Sequence, residues 1–157
     1  MSKTHQVING VAMNKSQQSG FTLIELMVVS LIIGILAAIA YPNYSEYVRQ
    51  NKLYDTMGSL SSIRLQMEQH YQDNRSYAAT GTACGIANYN STYFNFTCSA
   101  PTALTYTWTA SSIAGQGVGG SGEYSYTIDQ NGTRATPSFK GGTGSTSCWL
   151  VRADKCS

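Results

Sequence analysis

Charged side chains are scarce in this chain of 157 residues, of which only 11% are Asp, Glu, Lys or Arg. An average soluble domain carries roughly 25%, so the composition argues against a highly charged cytosolic protein and against a disordered, charge-rich chain. The first twenty residues contain Lys3 and Lys15 and no acid, and they supply the whole formal net charge of +2. The remainder is formally neutral, which gives no grounds for a strongly basic nucleic-acid binder overall, although charge can still segregate within it.

Motifs for catalysis and metal binding are equally scarce. Beyond the first twenty residues the only histidine is His70, and no CxxC pair is present, so a zinc site is improbable. A Ser–His–Asp set would need His70 itself, which falls in a predicted helix. The glycine-rich stretch 115–122 contains a GxGxGG without the buried strand and following helix of a dinucleotide site, which favours a flexible loop between strands. We therefore predict neither an enzyme nor a cofactor.

One long apolar run stands out at residues 21–40, which read FTLIELMVVSLIIGILAAIA. Twenty helical residues span about 30 Å, the thickness of the hydrocarbon core of a bilayer. A buried core helix is the first alternative, but the rest of the chain has too few large apolar residues to surround it. A secretory signal cleaved after Ala40 is the second, but the run exceeds the roughly 7–15 residues of such signals. The run predicts a membrane-spanning helix.

Glu25 is the single charge inside this run. A carboxylate costs roughly 2.5–3.5 kcal/mol at mid-membrane and less near a helix end, so it needs a cationic partner. A free α-amine at Phe21, in the same or a neighbouring copy, would supply that partner, and a helix N-terminus also favours an anion. A snorkelling carboxylate without a specific partner is the alternative.

Gly20-Phe21-Thr22-Leu23-Ile24-Glu25, after a short basic leader and before an apolar run, resembles the class III signal of type IV pilins and type II secretion pseudopilins. The resemblance implies that prepilin peptidase removes residues 1–20 at the cytoplasmic face, cutting between Gly20 and Phe21, and methylates the Phe21 amine. It implies that Glu25, with Thr22 beside it, pairs with the N-terminal amine of a neighbouring pilin subunit during assembly. Residues 21–41 would span the inner membrane with their N-terminus in the cytoplasm and later form the filament core. Residues 42–157 would be a periplasmic, then extracellular, head domain.

The helical pattern continues past this run, although Gly34 weakens it and Pro42 predicts a kink. Beyond Pro42, apolar residues recur at steps of mostly three and four, as expected for one face of an amphipathic helix. They are Tyr44, Tyr47, Val48, Tyr54, Met57, Leu60, Ile63, Met67 and Tyr71. We predict one helix from about residue 21 to about residue 74, whose second half needs a sheet to cover it.

Strand patterns follow in the last half of the chain. Apolar and small polar residues alternate over 102–110 and 123–128, a turn at 129–132 leads to a return strand at 133–136, and 148–152 reads as a last strand. Three or four antiparallel strands with one polar face suit a sheet lying on a helix. The predicted fold class is therefore α+β, and it agrees with the pilin fold that the resemblance implies.

Four cysteines, Cys84, Cys98, Cys148 and Cys156, lie in the part of the chain predicted to be exported, where an even number indicates disulfides. Three pairings are possible from sequence. We favour Cys84–Cys98 and Cys148–Cys156, because each pair is close in sequence within its own loop region.

Short later patches, such as 67–74 and 124–129, resemble PilE-type minor pilins. The resemblance implies a minor subunit that primes or supports pilus assembly; a type II secretion pseudopilin and a major pilin are alternatives. A further alternative is a DNA-binding competence pilin of the ComP type, for which the chain gives one physical motive. Residues 134–157 carry a formal +3 against −3 for 21–133. The candidate DNA contacts are Arg134, Lys140, Arg152, Lys155 and, for stacking, Trp149; the favoured alternative is a few solvated surface charges with Trp149 in the core.

Overall fold

The computed structural model describes residues 20–79, 83–99, 101–153 and 155–157. Of the predicted leader, residues 1–19 therefore lie outside the described residues. A single helix, α1, runs over Leu23–Asn74 and contains Pro42. The chain divides into two compact units between Ala40 and Tyr41, and α1 contributes to both.

In the N-terminal unit, α1 has no side-chain core of its own. Every residue from 23 to 40 is exposed within the unit, although most of them are large and apolar. By length and composition, α1 can cross a membrane. An exposed apolar surface of this extent indicates that the segment is covered by lipid or by other protein chains.

In the C-terminal unit, α1 presents one buried stripe at helical spacing. The buried residues are Leu53, Thr56, Met57, Leu60, Ile63 and Met67. Tyr44, Tyr47 and Tyr54, which the sequence pattern placed on this face, are exposed. The helix ends where Arg75 adopts a left-handed backbone (φ 54°) and its amide donates to the Tyr71 carbonyl at 2.7 Å.

A six-stranded antiparallel sheet in the order β1-β2-β3-β4-β5-β6 covers this stripe. Its strands are β1 (Tyr89–Asn90), β2 (Phe94–Ser99), β3 (Thr107–Ser112), β4 (Ser125–Asp129), β5 (Arg134–Phe139) and β6 (Gly142–Ser145). The α+β class is confirmed, and the sheet is larger than the three or four strands predicted. Three of its strands, β1, β2 and β6, were not predicted. β1 and β6 are short edge strands, and β6 (Gly-Thr-Gly-Ser) has no apolar alternation that sequence could reveal. β2 is an internal strand of six residues whose buried Phe94 and Phe96 alternate, so its sequence did carry a strand signal.

Two of the predicted strand segments differ in extent. The segment 102–106 is a turn, not strand, because the Thr102 hydroxyl accepts from the amides of Leu104 and Thr105 at 3.1 and 2.9 Å. The segment 148–152 does not join the main sheet. Its residues Leu150–Arg152 (β7) pair with Lys155–Cys156 (β8) in a separate hairpin.

The core lies between the buried stripe of α1 and one face of the sheet, and it is strongly aromatic. Its largest fully buried side chains include Trp108, Trp149, Tyr106, Tyr124, Tyr126, Phe94 and Phe96. Thr136 connects the sheet to the hairpin, since its buried hydroxyl donates to the Cys148 carbonyl at 2.8 Å and accepts from the Leu150 amide at 2.9 Å.

The glycine-rich stretch 115–122 lies between β3 and β4, as predicted, but it is anchored at several points. Val118 in its middle is fully buried. The Lys52 ammonium donates to the Gln116 carbonyl at 2.8 Å, and the Ser112 hydroxyl donates to the Gly120 carbonyl at 2.7 Å. The interpretation as a simple flexible loop is therefore wrong, because a buried side chain fixes its centre.

Candidate functional sites

The first candidate site is the start of α1, where Thr22 and Glu25 cap the helix reciprocally. The Glu25 amide donates to the Thr22 hydroxyl oxygen at 3.2 Å. One Glu25 carboxylate oxygen accepts from the Thr22 amide at 2.8 Å and from its hydroxyl at 2.9 Å. This is a capping box, and it explains why the helix begins at Leu23 and not at Phe21.

The capping box holds the Glu25 carboxylate at the N-terminal end of α1. There it faces the positive end of the helix dipole and gives the Thr22 backbone amide an acceptor. Glu25 is exposed within its unit, and the carboxylate has further lone pairs free to accept an ammonium group. Gly20, Phe21, Thr22 and Glu25 thus form one continuous exposed segment at the helix start.

The second candidate site comprises the basic residues of the C-terminal 24 residues. Arg134 begins β5, Lys140 lies in the turn before β6 with φ 54°, Arg152 ends β7 and Lys155 begins β8; all four are exposed. The Arg152 guanidinium donates to the Gln50 side chain of α1 at 3.4 Å. Among the described residues, none of the four forms an ion pair with a carboxylate.

Trp149 does not belong to that exposed set. Only 1% of its surface is accessible, and its indole nitrogen donates to the Thr127 carbonyl at 2.8 Å. The hypothesis that it stacks on a nucleobase is therefore wrong, and the alternative, a position in the core, is the one the structure shows. Trp149 contacts one of the basic residues directly, because the Arg134 guanidinium lies over its ring, 4.6 Å from the ring centre.

Two disulfides fasten the segments around the sheet. Cys84 is joined to Cys98 of β2, with the two Cα atoms 6.2 Å apart. Cys148 is joined to Cys156 of β8, with a Cα separation of 5.8 Å, and this bond closes the hairpin. These are the pairs that proximity in sequence favours. The described residues include no free cysteine.

Sequence reasoning missed Arg64 as a functional candidate. It lies on α1 among core residues and carries no motif, yet it lines a cavity together with Arg134 of the second site. The two residues are 70 positions apart in sequence, and only the packing of α1 against the sheet brings them together. The one available signal was a cation placed next to Ile63 in an apolar stripe.

A buried tyrosine cluster lies beside this region. Tyr77 donates its hydroxyl to the Glu68 carboxylate at 2.7 Å, stacks on Tyr71 at 4.6 Å, and meets Tyr106 edge-on at 4.8 Å. Burial, with the hydrogen bond to Glu68, raises the pKa of Tyr77 to about 12. Burial also raises the pKa values of Tyr106 and Tyr126. These phenols stay neutral at physiological pH and serve packing.

Comparison with known proteins defines the class first. Residues 15–41 match the model of the prokaryotic N-terminal methylation motif, which covers the start of α1 and its capping box. Such a motif followed by an apolar helix identifies a pilin that is anchored in the membrane and then becomes part of a pilus. Residues 42–121 match the model described as type IV minor pilin ComP, DNA uptake sequence receptor. That match covers half of the chain, and the chain belongs to this family of type IV pilins.

Curated relatives agree with this placement. The chain is 42% identical over 84 residues to the fimbrial protein EcpC of Eikenella corrodens, covering 53% of this chain and 55% of the relative. It is 38% identical over 71 residues to the type IV major fimbrial protein FimA of Dichelobacter nodosus, covering 45% and 44%. The chain thus spans about half the length of the curated relatives it matches.

Proposed function

We propose that this chain is a minor subunit of a type IV pilus that binds DNA at the pilus surface through exposed basic residues of its C-terminal unit. The match of residues 42–121 to a pilin family described as a DNA uptake sequence receptor carries the proposal. The exposed set Arg134, Lys140, Arg152 and Lys155 supports it, because phosphate contacts by such residues supply most non-specific affinity for DNA.

Charge distribution further supports this function. Residues 134–157 hold four bases and one acid, Asp154, whereas residues 21–133 hold four bases and seven acids. The charge of the mature chain is therefore segregated, and its basic residues lie at the start of β5, in the turn between β5 and β6, and in the β7–β8 hairpin. Four bases form a modest footprint, so we expect affinity to fall as salt rises, with a shallow log–log slope that corresponds to a small number of phosphate contacts.

The test uses the full-length chain in detergent micelles, mixed with a labelled duplex at a series of salt concentrations. Binding should weaken linearly on a log–log plot, by about 0.9 per phosphate contact. Lys140→Gln and Lys155→Gln should each lower that slope by about one contact. As a matched control, Arg75→Asn removes one exposed cation outside the set and should leave the slope unchanged. Absence of binding by the wild-type chain at low salt would exclude DNA as its partner.

The start of α1 supports a second function, incorporation into the filament. Here residues 1–20 are a leader that prepilin peptidase removes at the inner membrane. The cleavage exposes the Phe21 amine, which the same enzyme then methylates. Residues 21–41 anchor the subunit and then pack in the filament core, while 42–157 form the head. The Glu25 carboxylate forms an ion pair with the N-terminal ammonium group of a neighbouring pilin subunit. The capping box supports this role because it holds the carboxylate next to the helix terminus.

Two measurements test the incorporation proposal. The intact mass of purified pilus material should correspond to a chain that begins with N-methylated Phe21. Glu25→Val should reduce the amount of this chain in sheared filaments at least tenfold while its amount in the membrane is unchanged. The exposed Ser30→Val on the same segment is the matched control, and equal losses in both variants would contradict a specific role for Glu25.

The choice between a minor and a major pilin depends on abundance. The family model names a minor pilin, whereas the FimA relatives are named major fimbrial proteins. We propose a minor role in priming or supporting assembly, for which quantitative mass spectrometry of filaments should find this chain far below the principal subunit. The fimbrial relatives favour a pilus over a type II secretion apparatus.

A further inference from the structure

A cavity of about 180 Å³ separates α1 from the β4–β5 turn, and two arginines line it. Its walls are Ser61, Arg64 and Leu65 of α1 together with Ile128, Gly132 and Arg134 of the sheet. Ile128 and Arg134 are direct partners in the β4–β5 register, which fixes Arg134 at this place. No carboxylate is among the lining residues.

Arg64 is held in an unusual state for an arginine. Its Nε atom is buried and has no hydrogen-bond partner. Its guanidinium packs against the Cα side of Gly132, where an added Cβ would lie 3.2 Å from Cζ. Gly132 also has φ +78°, a backbone conformation that favours glycine, so both the conformation and the close approach of Arg64 require a residue without a Cβ here. One guanidinium nitrogen of the half-buried Arg64 thus has no acceptor from the protein, and an oxyanion in the cavity would supply one.

The nearest acid on the turn does not supply that anion. The Asp129 carboxylate is turned inward to accept from the amides of Asn131 and Thr133 at 2.9 and 2.8 Å. Among the described residues, neither Arg64 nor Arg134 forms an ion pair. Arg134 is instead held over the Trp149 ring at 4.6 Å, which orients a planar fork of donors beside the cavity.

We propose that Arg64 and Arg134 together bind one phosphodiester group of DNA in this cavity. Two guanidinium groups on one cavity repel each other and are relieved by a shared oxyanion, and their forks match the paired oxygens of a phosphate. The identity of the ligand rests on the proposed function, since DNA brings phosphodiesters to this surface. Arg64 then adds a contact from α1 to the exposed basic residues of the C-terminal segment.

The first experiment probes the anion site without DNA. Dimethyl phosphate is titrated into the full-length chain in micelles, and the Arg64 Nε–H and Gly132 amide signals are followed by NMR. Both should shift saturably, and Arg64→Gln or Arg134→Gln should each abolish saturation, whereas Arg75→Asn should not. Far-UV circular dichroism checks that the variants fold, and Arg134 is exposed, so at least this variant is expected to fold. Absence of local shifts, or equal shifts with acetate, would overturn the phosphodiester assignment.

The second experiment separates this inference from the proposed function. In the DNA salt series, Arg64→Gln should lower the log–log slope by about 0.9, as expected for one lost phosphate contact. If the wild-type chain binds DNA and Arg64→Gln leaves the slope unchanged, the cavity is not part of the interface and the inference fails alone. If dimethyl phosphate binds but DNA does not, the proposed function fails and the nucleic-acid assignment falls with it.

Discussion

The two parts of α1 have the same backbone and contrasting surroundings. Residues 23–40 are apolar apart from Glu25 and Ser30, and none is buried within its unit, whereas residues 41–74 bury one stripe and expose polar side chains and several tyrosines on the other faces. A helix that is apolar all round is built for lipid or for the interior of an assembly, while a one-sided stripe is built for a sheet. The difference teaches that one helix can be stabilised along its length by two different environments, lipid or a filament interior at one end and a β-sheet at the other.

The difference also separates two kinds of stability. The N-terminal segment gains its free energy only when a membrane or a filament removes it from water. The head gains its own from an aromatic core and two disulfides that are complete within one chain. Substitutions that are chemically identical should therefore have different consequences in the two segments.

The largest contrast is expected for leucine truncation. Leu60→Ala removes a fully buried side chain and should lower the free energy of unfolding of the head by about 2–5 kcal/mol. Leu36→Ala makes the same change in the same helix at a position 61% exposed within its unit, and it should change that quantity by less than about 0.5 kcal/mol. Urea denaturation of the full chain in micelles, followed by tryptophan fluorescence, measures both. Equal losses would break the division between the segments.

Removal of a disulfide comes next. The double change Cys84→Ser and Cys98→Ser opens a loop of 14 residues' separation and should cost the head about 3 kcal/mol. The helical circular dichroism of the membrane-spanning segment should not change, because no cysteine lies in it. Cys148→Ser with Cys156→Ser opens a shorter loop, of separation 8, and should cost slightly less. The reverse order would show that enthalpic contacts, and not loop length, decide the difference.

A smaller effect is expected at alkaline pH, where the stability of the head, but not that of the N-terminal segment, should depend on a buried tyrosine. Tyr77 has a pKa raised from 10.0 to about 12, so its neutral form is favoured in the folded head. This contribution is complete below pH 10 and is lost as the pH rises towards 12. The stability of the head should fall over that range, and Tyr77→Phe should make the fall shallower. Tyr44→Phe, at an exposed position, is the control; an unchanged slope in Tyr77→Phe would rule out the phenol as a cause.

The smallest effect concerns the capping box. Thr22→Ala removes the acceptor for the Glu25 amide and should weaken the first turn of α1 by about 1 kcal/mol. Amide hydrogen exchange should accelerate only at the first residues of the helix, while urea unfolding of the head is unchanged. A change in the unfolding midpoint of the head would show that the two units are energetically coupled.

Local patterns predicted a large share of the fold. The apolar run, the stripe at Met57, Leu60, Ile63 and Met67, and the β4 alternation all have clear periods in sequence and match the structure. The edge strands β1 and β6 have no such signal, and neither does the detachment of β7 from the sheet, because these depend on tertiary pairing. The internal strand β2 was missed although Phe94 and Phe96 alternate in it.

The candidate sites divide in the same way. The Gly20–Glu25 motif is local and was legible residue by residue. Arg64 and the burial of Trp149 depend on contacts between positions far apart in sequence, with Trp149 bonded to Thr127 and Arg64 packed on Gly132. No single-sequence pattern encodes such pairs, so the sequence could not decide between an exposed and a core position for Trp149.

Val118 has a practical consequence for anyone who wishes to label this pilin. From its composition, the glycine-rich segment around it would be chosen as a place to insert an epitope, yet the Val118 side chain is fully buried. An insertion next to Val118 would remove this side chain from the core and expose the core to water. The turn at Leu104 is a better insertion site for a tag, because Leu104 is exposed and the turn is stabilised by hydrogen bonds to the Thr102 hydroxyl.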